Sequence, residues 1–133
     1  MTDPILTSFE LAADKAGDVT DAIYEQYFKD CPGSEKLMEH VDPGVKGKMI
    51  QEVLRLIMVD DYQEESDYLN FEVNYHQNSF SVEGHMYANL LRAVHTVVKH
   101  SIASEWTEEF ENAWVKRIEA LSHELTSRHK IIA

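Results

Sequence analysis

The segment "YLNFEVNYHQNSFSVEGHMYANLL", Tyr68–Leu91, places a histidine inside an apolar pattern of helical period. His76 follows Leu69 by seven residues and Val73 by three, so on a helix the three side chains share one stripe. The polar run 77–79 follows at once. An imidazole at that place either fills a half-buried position at a helix end, which is the commoner case, or holds a ligand. Residues elsewhere in the chain must decide between these two interpretations.

Apolar residues recur at helical spacing in nearly the whole chain, and glycine is scarce. The three prolines stand where helices typically begin. We therefore predict an all-α fold of six to eight helices, in one domain over residues 1–133. The predicted helices run from Asp3-Pro4 to Gly17, through residues 19–30, briefly from Cys31-Pro32, from Asp42-Pro43 to residues 60–61, from Glu64 to His76, through residues 81–102, and from a cap at Ser104 or Thr107 to Leu125.

Composition restricts the classes of partner. The formal net charge of −12 disfavours nucleic acid and anionic membrane as partners, because both require cations against phosphate. The single cysteine, Cys31, excludes an internal disulfide, and no stretch is apolar enough to span a bilayer or to act as a secretion signal. A cytoplasmic protein is expected. Phosphate-binding loops and nucleophile elbows are absent from the sequence.

Four short motifs in order resemble the globins, especially the single-domain bacterial haemoglobins and the globin domain of flavohaemoglobins. They are "IYEQYFKDCP" (23–32), "YHQNSFSV" (75–82), "LLRAV" (90–94) and "WTEEFENAW" (106–114). The resemblance covers residues 18–125 and implies a globin-like stack of helices around haem b. One departure stands out, since Leu37-Met38 occupies the place where globins have a Phe that stacks on haem.

The resemblance assigns His76 as the axial iron ligand. Glu72 stands one turn earlier on the helix, so its backbone carbonyl or its carboxylate is expected to accept the second imidazole N–H. It implies that Tyr24, or Tyr27 if the second helix is rotated, donates a hydrogen bond to bound gas. The distal gate falls at Val45 and Lys46, and a free His40 is an alternative sixth iron ligand. The expected apolar haem contacts are Met38, Met49, Ile50, Leu69, Val73, Val82, Met86 and Leu90, each of which an ordinary core would also bury.

Three functions are compatible with these residues. The first is a haem protein that reversibly binds O₂, NO or CO for storage, sensing or NO detoxification; dioxygenase or peroxidase-like activity would need an external reductase. The second is a haem-free globin-fold module for signalling or protein interaction. The third is a sensor domain, which a homodimer through the last two helices would suit. Phe110 and Trp114 are interpreted as packing residues, and the remaining histidines, His95 among them, as solvated side chains.

Overall fold

Seven α-helices make up the part of the chain that the computed structural model describes, and no strand occurs there. The described residues are 3–59, 62–80 and 84–128, without the side chains of residues 74, 76–80, 84 and 85. The helices are α1 (Pro4–Ala16), α2 (Thr20–Asp30), α3 (Ser34–Met38), α4 (Pro43–Met58), α5 (Ser66–Phe80), α6 (Gly84–Ile102) and α7 (Glu108–Arg128), with a 3-10 turn, Ala103–Glu105, between α6 and α7. The predicted all-α class and helix number are confirmed.

Two Asp-Pro pairs begin helices in the way that the sequence predicts. Asp3 precedes Pro4, and its Oδ1 accepts a hydrogen bond from the N–H of Ile5 at 2.9 Å. Asp42 does the same before Pro43, with Gly44 N–H at 2.7 Å. In each case proline supplies the helical φ and the carboxylate satisfies a free N–H.

Helix α5 is longer than predicted. It continues to Phe80, one turn past His76, although residues 77–79 are polar. The predicted end at His76 is therefore wrong, because it marks the end of the apolar pattern and not the end of the helix. Polar residues stay helical when their side chains are not needed in the core, so periodicity loses the boundary there.

Helix α6 lies at the centre of the stack, where it packs against α1, α2 and α7. Val94, Val98 and Ile102 on α6 are fully buried, and so is Trp114 of α7. The Trp114 indole N–H donates to Ser8 Oγ at 2.8 Å, and the Ser8 hydroxyl donates to the Ile5 carbonyl at 2.7 Å. This chain of hydrogen bonds satisfies the polar atoms that the α1–α7 contact buries.

The expectation that His95 is solvated is wrong. Its side chain is 18% exposed, and its ring stacks on Trp114 with centroids 5.6 Å apart and planes 9° apart. Trp106 covers it at 5.6 Å, and its Nε2 lies 3.1 Å from Glu111 Oε1. Phe110 and Trp114 are buried, which confirms them as packing residues.

Helix α7 holds both α4 and α5. Arg117 Nη1 donates to the carbonyls of Ile57 and Val59 at 2.6 and 2.8 Å, so it caps the C-terminal end of α4. Arg128 Nη2 lies 3.3 Å from Ser66 Oγ, at the first residue of α5. Among the described helices, none is both long and apolar enough to cross a membrane.

Candidate functional site

Helices α4 and α5 are tied together at one end. Arg55 of α4 donates two hydrogen bonds to the carboxylate of Glu65, at 2.8 and 3.2 Å, and its Nε donates to Glu52 at 2.7 Å. Its guanidinium lies 5.3 Å from the ring centre of Tyr68 on α5. The planar fork of arginine suits this bidentate and stacked geometry, which fixes the spacing of the two helices at this end.

Beyond this tie, the described residues of α4 and α5 make only marginal contact with each other, whereas both helices pack on α7. Glu52 marks the side of α4 that faces α5, because Arg55 and, to a smaller extent, Tyr68 of α5 lower the pKa of its carboxyl. Val45 and Met49 precede Glu52 by seven and three residues, so they share its face. Val45 is 48% exposed and Met49 is half-buried. An apolar stripe of α4 toward α5 is thus left partly uncovered.

His76 lies on α5, one turn after Glu72 and two turns after Tyr68. Residue 76 therefore lies further along α5 than the contacts of Glu65 and Tyr68 with Arg55. The His76 side chain and all of Val82 fall outside the described residues. Their predicted roles as iron ligand and haem contact stay predictions.

Tyr24 connects α2 to the start of α4. Its hydroxyl donates to the Lys46 carbonyl at 2.9 Å, and burial raises the pKa of Tyr24 to about 12. The phenol therefore remains a neutral donor at any physiological pH. Tyr27 is equally buried but lies beside Cys31, and burial raises its pKa further. Of the two tyrosines that the sequence left open, Tyr24 is the one whose hydroxyl reaches α4.

Tyr87 of α6 was not singled out from the sequence. Its hydroxyl is buried and has no hydrogen-bond partner among the described residues. Burial raises the pKa of Tyr87 to about 12, and the nearby Glu72 carboxylate of α5 adds to that rise. An unpaired buried hydroxyl costs roughly 1–3 kcal/mol, so this donor calls for a polar partner next to α5. No pattern in the sequence marks such an atom, because the lack of a partner is a tertiary property.

The predicted apolar haem contacts divide into two sets. Ile50, Leu69 and Val73 are at most 1% exposed, which is the burial of an ordinary core. Met86 is 8% exposed, while Met38, Met49 and Leu90 are half-buried. The half-buried residues are the better source of ligand contacts, because their side chains have surface left to cover.

His40 and Lys46 are the two other polar residues that were predicted near the iron, and Lys46 is half-buried. His40 is exposed in the turn before α4. The Lys46 ammonium lies 5.9 Å from the centre of the Phe28 ring. There it borders an open groove of about 380 Å³ between α2 and α4, which is lined by Thr20, Asp21, Tyr24, Glu25, Phe28, Glu35, Pro43 and Lys46. Within the described part of the chain, no three His, Cys, Asp or Glu side chains form a cluster that could hold a metal ion.

Acid is expected to weaken the tie between α4 and α5. The hydrogen bonds from Arg55 hold the pKa of both Glu52 and Glu65 below the ordinary 4.5. Groups with a lowered pKa stabilise the fold above their unfolded pKa and lose that contribution as pH falls through the folded value. In thermal unfolding followed by circular dichroism from about pH 5 to about pH 3, wild type should therefore lose more Tm than Arg55→Gln.

The matched control for this experiment is Arg92→Gln. Arg92 is exposed on α6, and its guanidinium makes a 3.4 Å contact with the neutral Asn89. Its acid profile should parallel that of wild type. Equal Tm losses for wild type and Arg55→Gln would mean that the carboxylates gain nothing from Arg55.

Comparison with known proteins adds no identification. No family model, no curated protein and no solved structure matches this chain. Any function must therefore be argued from its own residues.

Proposed function

We propose that this chain is a globin-like haem protein that reversibly binds O₂, NO or CO at an iron ligated by His76. The observation that carries the proposal is the arrangement of α4 and α5. Both are held on α7 and tied to each other by Arg55, yet they make only marginal contact beyond the tie. A flat ligand between the two helices would complete a contact that the described protein atoms leave marginal.

The residues present fit a porphyrin in two respects. A porphyrin face is apolar, and Val45 and Met49 offer an incompletely covered apolar stripe on the side of α4 toward α5. The interior near α5 also favours a polar partner, because the buried Tyr87 hydroxyl has no hydrogen bond with any described residue. A bound group with polar atoms, or the imidazole that holds it, would meet that need.

Three residues of the chain would then act on the haem iron or on its bound gas. His76 would hold the iron, and the Glu72 carbonyl or carboxylate, one turn earlier, would orient the imidazole through its second N–H. Tyr24 would donate a hydrogen bond from its hydroxyl to a bound gas in place of the Lys46 carbonyl. Haem b supplies the open iron position at which a diatomic gas binds. NO dioxygenation or a peroxidase-like reaction would additionally need electrons from an external reductase.

A haem-free interaction module is the second candidate, and one observation favours it. Ile50, Leu69 and Val73 are already covered by protein atoms, and the Tyr24 hydroxyl already has an acceptor. A stack that closes on itself needs no cofactor to complete its core. The two candidates therefore differ in whether the α4–α5 space accepts a ligand.

Haemin titration of the purified chain separates the two candidates. Wild type should take up one haemin per chain, and Val45→Glu should weaken uptake about tenfold or more, since a carboxylate in an apolar slot is poorly solvated. Val115→Glu on α7 is the matched control, because Val115 is 40% exposed against 48% for Val45. Absence of uptake by wild type would refute the haem proposal. Equal weakening by both variants would place the haem outside this slot.

A further inference from the structure

Helix α5 exposes a pair of stacked aromatic rings. Phe71 and Tyr75 are one turn apart, with ring centroids 6.0 Å apart and planes 10° apart. They are 63% and 48% exposed, whereas Leu69 and Val73 on another side of α5 are fully buried. Much of the surface of these two rings is therefore open to solvent. Together they form an apolar surface of the kind that proteins reserve for contacts with other molecules.

The segment of sequence that contains the pair carries charge of one sign. No Lys or Arg occurs between Arg55 and Arg92, an interval that holds seven Asp and Glu residues. Asp67 is exposed and stands one turn before Phe71, so residues 67, 71 and 75 follow one face of α5. This face, Asp67–Phe71–Tyr75, is called the α5 face below.

The described cations at the start of α5 do not neutralise this face, because they already have partners. Arg55 is held between Glu52 and Glu65. Arg128 forms an ion pair with Glu124 and reaches Ser66. Helix α5 contains no Lys or Arg, so a cation would be attracted both to the Asp67 carboxylate and to the ring faces.

We propose that the α5 face docks a cationic helix or extended segment of a partner protein, whose Lys or Arg side chains lie over Phe71 and Tyr75 and beside Asp67. A second copy of the chain is a poor occupant, because each copy carries a net charge of −12. Nucleic acid and anionic lipid are disfavoured for the same reason. The proposal does not depend on haem, so it is tested on the chain whether or not it takes up haemin.

The test uses a synthetic amphipathic helical peptide of Leu and Lys, with a Leu and Glu peptide of the same pattern as its negative counterpart. Binding is measured by isothermal calorimetry at several salt concentrations. Wild type should bind the Lys peptide and not the Glu peptide. The double variant Phe71→Ser with Tyr75→Ser should bind about tenfold or more weakly, as expected for aromatic anchors at the centre of an interface.

Two matched controls separate the site from the general acidity of the surface. Leu6→Ser with Val115→Ser removes two other exposed apolar side chains, 43% and 40% exposed, and should leave affinity unchanged. Asp67→Asn should weaken binding and reduce its dependence on salt. Glu119→Gln removes another exposed carboxylate, on α7, and should have a smaller effect on both.

Three results would overturn the proposal. The first is equal affinity of the Lys peptide for wild type and for the aromatic double variant. The second is binding of wild type to both peptides alike. The third is a concentration-dependent dimer in analytical ultracentrifugation that the aromatic double variant abolishes, since this would assign the α5 face to a second copy of the chain.

Discussion

Replacing His76 with Ala is expected to abolish axial ligation of the iron in the haemin-reconstituted protein. His76 is the residue proposed to hold the iron, so the variant loses that bond. Its Soret band should weaken and shift, and its haemin affinity should fall by more than the roughly 10–100-fold that loss of an outer-shell partner of a metal ligand typically costs. Added imidazole should restore the wild-type spectrum by occupying the vacated position.

His40→Ala is the matched control for this result. His40 is exposed in the turn before α4, so its loss should not disturb the fold. The variant should retain the axial bond. A change confined to the low-spin fraction would identify His40 as the sixth ligand. A His76→Ala protein with an unchanged spectrum would show that His76 does not hold the iron, and imidazole would then have no effect.

Replacing Trp114 with Ala is expected to cause the largest loss of stability. The side chain is fully buried, contacts Phe9 and His95, and donates its indole N–H to Ser8. Truncation of a buried Trp typically costs about 3–5 kcal/mol, because a cavity replaces well-packed atoms. Urea unfolding should therefore show a much lower midpoint with an unchanged slope, which reports stability and not a change in the unfolded state.

Trp106→Ala is the comparison for this variant. Trp106 covers the other side of His95 but is only half-buried, and its N–H donates to the partly exposed Glu111 at 3.0 Å. Its loss should cost roughly half as much, since less apolar surface returns to water. Equal or smaller destabilisation by Trp114→Ala would contradict the central packing role of Trp114.

The outline of the fold could be predicted because its signals are local. Asp3-Pro4 and Asp42-Pro43 carry a cap and a fixed φ within two residues, so two helix starts are correct. The predicted end of α5 at His76 was wrong, because the polar residues 77–79 do not break a helix. Periodicity reports which residues are buried, and it says less about where the backbone stops being helical.

The candidate site was less predictable because its decisive contacts join distant residues. The Tyr24 hydroxyl meets a carbonyl 22 residues later, and both Tyr24 and Tyr27 are buried, so burial alone could not choose between them. His95 owes its cover to Trp106 and Trp114 on the next elements. The Tyr87 hydroxyl has no hydrogen-bond partner in the described part of the chain, and no pattern of residues in the sequence could predict that.

The measurement that tests the central claim most directly is the absorption spectrum of the reduced, haemin-reconstituted wild-type protein before and after addition of carbon monoxide. Binding of CO at a His-ligated iron should give one sharp, shifted Soret band with one CO bound per chain, and the shift should reverse when CO is removed. A protein that retains no haem after gel filtration, or a haem complex whose spectrum CO leaves unchanged, would contradict the account and favour the haem-free module.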